Sequence, residues 1–436
     1  MSRLRIIASF AAVRWLRPLR SRAAVQRRQR RLTRRHLRFL RRRSAYFGEL
    51  IPARGAVLSD LPLMDKALMM ARFDDLNTVG LRREEAMGVA LGNERSRDFS
   101  IDVGSNSVGL SSGTSGHRGL FVISRAEREA WAGTVLARTL PRGRIFGHRI
   151  ALFLRADNTL YEAVRSRAVS FAYFDVFADM SANVDGLQGY RPSILVAPPS
   201  VLLVLARAIE QGRYDALPEK VYAVAEVLEE GDAARIAAAF GQERIHQLYQ
   251  CTEGFLGHTC PHGTIHLNED DVVVERESLG EGRFTPIVTD VRRRAQPIVR
   301  YRLGDVLRER AEPCPCGSAL TAIERIEGRE GDTLRLPGRN GGTVPVFADL
   351  VARTMIYAEG FQEYRVVQTG RAGLEVALDA EDGAARASVA AELGALADRM
   401  GCERPALDFV PFRHDGRQKL RRVVRLWRGD EGDEEL

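Results

Sequence analysis

Between residues 145 and 254 the chain alternates short, largely apolar runs with helix-length amphipathic stretches, and this pattern limits the fold more than any other feature. The runs at 145–155 (I-F-G-H-R-I-A-L-F-L-R), 171–177 (F-A-Y-F-D-V-F), 193–196 and 221–224 read as buried strands. Helices are expected at 200–211, after the strand-stopping Pro198-Pro199, and at 231–240. A further strand from His246 runs into the polar Y-Q-C-T-E of 249–253. Strand and helix in alternation predict an α/β architecture with a mainly parallel sheet, whose ligand edge lies where the strands end.

The rest of the chain is organised around this segment. A length of 436 residues allows two or three domains, and 45% apolar residues suffice for a buried core. The spacing predicts a helical N-terminal segment over 1–75, a main domain over 76–331 and a smaller C-terminal domain over 332–436, opened by the glycine-rich change of composition near Gly328. Residues 264–290 read as hairpin strands, and the segment S-D-L-P-L-M-D-K at 59–66 as a turn opening a helix capped by Ser59 or Asp60.

The net charge of +8 comes from arginine, since lysine stands only at Lys66, Lys220 and Lys419. Residues 14–47 are arginine-rich, with Val25, Leu32 and Phe39 spaced to face inward from a helix. A solvated helix capping a domain is the expectation there, with peripheral membrane contact as the alternative and no specific nucleic-acid partner. Five scattered cysteines exclude a disulfide scaffold and fit a reducing, cytoplasmic setting. Arg14 interrupts the only early apolar run, so no signal peptide is expected. The apolar tract at 194–209 carries two prolines and Arg207 and falls short of the roughly 20 residues of a membrane span.

At 110–120 the chain reads L-S-S-G-T-S-G-H-R-G-L. Gly113 and Gly116 permit tight backbone turns, and Ser111, Ser112, Thr114 and Ser115 offer hydroxyls and amides, which makes a candidate phosphate cradle. It lacks the G-x-x-x-x-G-K-[ST] spacing of nucleoside triphosphatases and the G-x-G-x-x-G of dinucleotide sites.

S-S-G-T-S-G at 111–116, A-E at 225–226, Y-Q-C-T-E at 249–253, Y-R-L-G-D at 301–305, G-R at 328–329 and a late lysine follow one another in the order used by adenylate-forming enzymes. Over nearly the whole chain the sequence resembles the phenylacetate–coenzyme A ligase branch of that superfamily and its coenzyme F synthetase-like relatives. The resemblance implies a large α/β domain with a small mobile C-terminal α+β lid. It also implies a two-step reaction, in which a carboxylate attacks the α-phosphate of ATP and a thiol then displaces AMP.

Carried onto this chain, the resemblance assigns the phosphate loop to Ser111, Ser112, Gly113, Thr114, Ser115 and Gly116, followed by His117 where a lysine is usual. Thr252 would approach the α-phosphate and Glu253 would hold Mg²⁺. Ala225, Glu226 and Tyr249 would flank the adenine, although Gln250 replaces the family's glycine. Asp305 would take the ribose hydroxyls, with Arg302 and Arg329 facing ribose or phosphate. The late lysine is Lys419 when the R-V pair is the anchor, whereas Gly416 as anchor would put Arg417 there. Lys419 would serve the adenylation step, and the lid would turn about Asp332.

Cys260, His266, Cys314 and Cys316 match a Cys, His, Cys, Cys site of some relatives and suit structural Zn²⁺ within a subregion at 258–318, with His258 and His262 as alternative ligands. The expected function is therefore adenylation of a small, aromatic carboxylic acid and its transfer to coenzyme A. Tyr173, Phe174 and Phe177 are candidates to line the acid pocket. An amine or a carrier-protein thiol is an alternative acceptor, a non-catalytic nucleotide-binding protein an alternative class, and a homodimer an allowed assembly.

Overall fold

The computed structural model describes residues 2–16, 19–110, 119–141, 143–154, 169–176, 178–380, 382–414 and 420–429. The phosphate-loop candidates Ser111 to Gly116 with His117, the pocket candidate Phe177, and Gly416, Arg417, Gln418 and Lys419 lie outside the described residues. Contacts divide the chain into two compact units. The first holds residues 1–225, 236–303 and 309–325, and the second 226–235, 304–308 and 326–436.

The helices before the central sheet are α1 (Ser2–Ala11), α2 (Arg22–Arg43), α3 (Ala45–Leu50), α4 (Lys66–Ala71), α5 (Phe73–Leu76), α6 (Arg83–Ser96) and α7 (Arg125–Thr139). Ser21 and Ser124 accept backbone N–H groups at the starts of α2 and α7, and Glu127 returns a bond to Ser124 in a capping box. The cap of α4 is Asp65, whose carboxylate accepts the Leu68 N–H at 2.7 Å. Ser59 and Asp60 instead form a single 3₁₀ turn, because the extended stretch through Leu61 and Met64 separates them from the helix.

Strands β1 (Asn106–Leu110) and β2 (Leu120–Ser124) pair antiparallel with Leu110 opposite Leu120, so the glycine and hydroxyl loop joins two strands of a hairpin, as its flanks predict. The expected parallel sheet is present. Strands β3 (His148–Leu154), β4 (Val169–Asp175), β5 (Ile194–Ala197), β6 (Lys220–Val224) and β7 (His246–Cys251) lie side by side in the order β4-β3-β5-β6-β7, every pair parallel. Helix α8 (Met180–Tyr190) precedes β5. Helix α9 (Pro199–Glu210) follows it with Pro199 in its first turn, where the missing N–H costs nothing, and α10 (Glu230–Ala239) falls between β6 and β7. The burial of all four β5 residues matches the continuous apolar run expected of a strand covered on both faces.

Beyond β7 the sheet turns antiparallel through β8 (Gly254–Thr259) and β9 (Ile265–Leu267). The hairpin β10 (Val272–Gly280) and β11 (Arg283–Asp290) follows, with β12 (Ile298–Arg302) antiparallel to β11. Strands β13 (Asp305–Glu309) and β14 (Ala322–Arg329) complete this part of the chain.

The second unit carries a hairpin of β15 (Leu334–Pro337) and β16 (Thr343–Val346) and a sheet ordered β19-β18-β17-β20, from β17 (Tyr364–Gln368), β18 (Gly373–Leu378), β19 (Ala406–Pro411) and β20 (Val423–Arg425). Helices α11 (Ala348–Met355) and α12 (Gly383–Arg399) belong to it, and a core that includes Val351, Val366, Val376 and Val389 gives this unit its own hydrophobic interior. Among the described residues no helix is long and apolar enough to cross a membrane.

Candidate active site

Parallel pairing puts the C-terminal ends of β6 and β7 on one edge of the first unit's sheet, where Ala225, Thr252 and Glu253 follow those strands. Ala225, immediately after β6, has φ +70°, a left-handed conformation that a side chain with a Cβ seldom adopts. Thr252 and Glu253 form the two-residue tip between β7 and β8, with Cys251 paired to Gly254 across it. The Thr252 hydroxyl donates to Glu253 Oε2 at 2.9 Å. The Tyr301 hydroxyl also donates to the Glu253 carboxylate; burial and then that carboxylate hold the phenol well above its ordinary value.

Two basic residues outside the expected set meet this tip. Arg293 is buried and donates to the Thr252 carbonyl at 2.8 Å and the Val122 carbonyl at 3.3 Å, which fixes the turn from behind. Lys66 shares a narrow cleft with Gly119, Thr252, Glu253 and Gln296. Its position follows from the segment before α4. Met64 bridges Tyr301, its N–H reaching the Arg300 carbonyl and its carbonyl accepting the Arg302 N–H, both at 2.9 Å. Lysine scarcity singles out Lys66 in the sequence, but only this pairing brings it to Glu253. Arg302 is held at 2.6 Å by Glu277.

A cavity of ≈ 620 Å³ opens from the Thr252 turn into the first unit. Ile150, Leu152, Val196 and Leu248 from the parallel strands form one wall, and Ala130, Thr134 and Val135 of α7 face them. Arg293 and the carboxylates of Asp270, Asp271 and Asp290 also line it. Burial pushes the Asp290 carboxyl up to about 6, although it accepts the Arg292 N–H at 2.8 Å. Phe171 is the strand β4 aromatic on the lining. Tyr173 and Phe174 take structural roles instead, because the Tyr173 hydroxyl donates to the Leu154 carbonyl at 3.0 Å and Phe174 stacks on Phe153 with centroids 4.9 Å apart.

In the second unit, Asp305 and Arg329 form an ion pair at 2.8 Å with the carboxylate buried. Glu226 opens this unit's first segment. Asp332 is buried in the 3₁₀ turn Glu330–Asp332, and the Arg421 guanidinium holds its carboxylate.

The cysteine expectation finds a matching geometry. One ligand atom each from Cys260, His266, Cys314 and Cys316 lies within 4.8 Å of the others. Cys260 Sγ and Cys314 Sγ are 3.7 Å apart, and Cys316 Sγ is 3.3 Å from His266 Nε2. Two sulfurs bound at the usual zinc distance in a tetrahedron would be about 3.8 Å apart, so the donor set fits that ion. His266 Nδ1 donates to the Leu320 carbonyl at 3.0 Å, which leaves the Nε2 lone pair toward the sulfurs. His258 is engaged by Asn268 at 2.8 Å, and His262 is exposed outside the cluster.

No protein-family model and no curated protein matches the chain. Solved structures do. A 2-hydroxyisobutyryl-CoA ligase in the postadenylation state with 2-HIB-AMP aligns over 92% of this chain and 89% of its own, with a TM-score of 0.67 and 18% identity. The anthranilate CoA ligase AuaEII with anthranoyl-AMP aligns over 72% of this chain and 65% of its own, with a TM-score of 0.52 and 13% identity. The amide bond synthetase McbA from Marinactinospora thermotolerans covers 71% of this chain and 67% of its own, with a TM-score of 0.52 and 14% identity. The chain has the fold of the adenylate-forming ligases.

Proposed function

We propose that this protein activates a carboxylic acid with ATP and passes the acyl group to coenzyme A. The observation that carries this reading is the Thr252-Glu253 turn, braced by Tyr301 and Arg293 and opening into an apolar cavity of ≈ 620 Å³. A carboxylate held by its apolar body would present its oxygen toward Thr252 and Arg293. The ligases solved with acyl adenylates support the same first step.

In this reading a carboxylate oxygen attacks the α-phosphorus, the bond to the β-phosphate breaks and pyrophosphate leaves. The thiolate of coenzyme A then attacks the acyl carbon and AMP departs. Glu253 would hold Mg²⁺, whose charge would ease the departure of pyrophosphate, Thr252 would contact the α-phosphate, and Lys66 would add an ammonium beside them. The loop 111–116 receives the outer phosphates, Ala225, Glu226 and Tyr249 flank the adenine, and Asp305 and Arg329, with Arg302, serve ribose and phosphate. Lys419 stabilises charge during adenylation, and Asp332 is the pivot of the second unit. Bound Zn²⁺ would tie the β8-β9 hairpin to the 314–316 turn, a structural duty apart from the reaction.

The test is incubation with ATP, Mg²⁺, coenzyme A and a panel of aromatic and longer hydrocarbon acids, followed by mass spectrometry. Acid-dependent AMP and an acyl-CoA mass are expected. An acyl adenylate without a thioester would move the acceptor to an amine or a carrier-protein thiol, and no AMP with any acid would sink the ligase reading.

A further inference from the structure

Helix α1 has two faces with different business. On one, Arg5 and Ser9, four residues apart, line the cavity, joined by Val13 from the π-helical turn Ala12–Leu16 that follows. This face is closely seated on α7. A Cβ at Gly133 would stand 2.9 Å from Ser9 Cβ and 3.0 Å from the Phe10 nitrogen, so only glycine permits the approach. Arg5 pairs with Glu129 at 3.4 Å, and the Arg14 guanidinium donates to the carbonyls of Ala137, Leu140 and Pro141, a cation placed where α7 ends.

Elsewhere on the same short segment large apolar side chains face water: Leu4 is 70% exposed, Ile7 61%, Trp15 59% and Leu16 74%. Clustered exposure of this kind marks an interaction surface. The following helix supplies charge. Arg27, Arg31, Arg34, Arg38 and Arg41 recur at helical spacing along the exposed side of α2, and among the described residues none of them forms an ion pair. No acidic residue occurs before Glu49. The arginines on the inner side are spent differently, Arg22 on Glu269 and Arg28 on Asp271, so they anchor α2 and leave the outer stripe unneutralised.

We propose that residues 2–16 and helix α2 dock this protein on an anionic lipid bilayer, with the α2 stripe over the headgroups and Leu4, Ile7, Trp15 and Leu16 entering the interface. A nucleic acid would answer the arginines but gives no reason for four exposed apolar side chains, whereas basic residues beside aliphatic and tryptophan side chains are the composition of an interfacial helix. Because α1 also walls the cavity, the acid to be activated is one that partitions into that surface, a carboxylic acid with a long hydrocarbon body. That extension to the substrate rests on the ligase reading, while the docking does not.

Flotation of the full-length protein with vesicles of phosphatidylcholine alone, or mixed with phosphatidylglycerol, tests the surface. Binding is expected only to the mixed vesicles. It should fall at least about tenfold in Arg27→Gln/Arg31→Gln/Arg34→Gln and again in Leu4→Ser/Ile7→Ser/Leu16→Ser, with circular dichroism unchanged in both. No binding to the mixed vesicles would overturn the proposal. So would serine-variant binding equal to the parent's and competed away by duplex DNA, which would mark the stripe as a nucleic-acid contact. Pyrophosphate release from a long-chain acid, measured with and without mixed vesicles, separates the two layers. Stimulation supports delivery from the surface, and vesicle binding without any acid-dependent release would remove the ligase reading and leave the docking surface standing.

Discussion

At its Thr252 end the cavity is lined by Thr252 and Arg293, joined by a hydrogen bond of defined direction, and the same turn carries the Glu253–Tyr301 pair. At the other, the apolar side chains of Leu152, Val196 and Val135 line the space. The polar end has few admissible arrangements, because each donor needs its acceptor, and changing one atom there removes a specific interaction. The apolar end is tolerant, since dispersion and burial depend on volume and hardly on identity. In the proposed enzyme, turnover is therefore concentrated in a handful of residues, while acid preference is spread over a wall.

Replacing Glu253 by Gln should have the largest effect. It keeps the shape of the turn and removes the metal-binding charge, and pyrophosphate release should fall on the order of a hundredfold or more with little change in KM for the acid. Arg293→Met comes next. Losing the donor to the Thr252 carbonyl should lower kcat by roughly tenfold through misplacement of the turn, and kcat and KM measured together will tell this from lost binding. At the opposite end, Val196→Phe should raise KM for bulky acids by about tenfold while leaving kcat for the smallest accepted acid nearly unchanged. An equal loss for all acids would erase the distinction between the two ends.

The same contrast explains what could be read from the chain. The parallel sheet was legible because β5 and β6 are short runs with few alternatives to burial, and the Cys and His cluster because those residue types are rare and chemically committed. The cavity was not legible, since Ile150, Leu152 and Val196 are the residues of an ordinary core and only geometry shows the space between them and α7. Tyr173 and Phe174 show the limit from the other side: aromatic character leaves core and pocket both open, and a carbonyl partner and a stacked ring put them in the framework. The place of helix α1 on the cavity wall was hidden because its apolar residues do not all face inward, and the position of Lys66 because it depends on a bridge between Met64 and Tyr301, far apart in sequence.

Two smaller effects lie at the margins of the comparison. The sulfur cluster should carry about one zinc per chain, and chelation should lower the melting temperature by several degrees without changing the ranking of acids. Metal-free protein that melts unchanged would assign the cluster to reduced thiols. For Asp290 the sign follows from burial. Below pH 3.8 the carboxyl is protonated in both states; between 3.8 and about 6 only the unfolded chain ionises it, so stability falls as pH rises through that window. Asp290→Asn should therefore be more stable than the parent at pH 8, by no more than roughly 3 kcal/mol in denaturant unfolding, and should show almost no gain near pH 4.

The central claim is the formation of an acyl adenylate at the Thr252-Glu253 turn, and acid-dependent exchange of labelled pyrophosphate into ATP measures that step without any acceptor. The prediction is exchange with at least one apolar carboxylic acid, dependent on Mg²⁺ and reduced on the order of a hundredfold in Glu253→Gln. Exchange that is absent across the panel, or that proceeds equally in the folded Glu253→Gln protein, would contradict it.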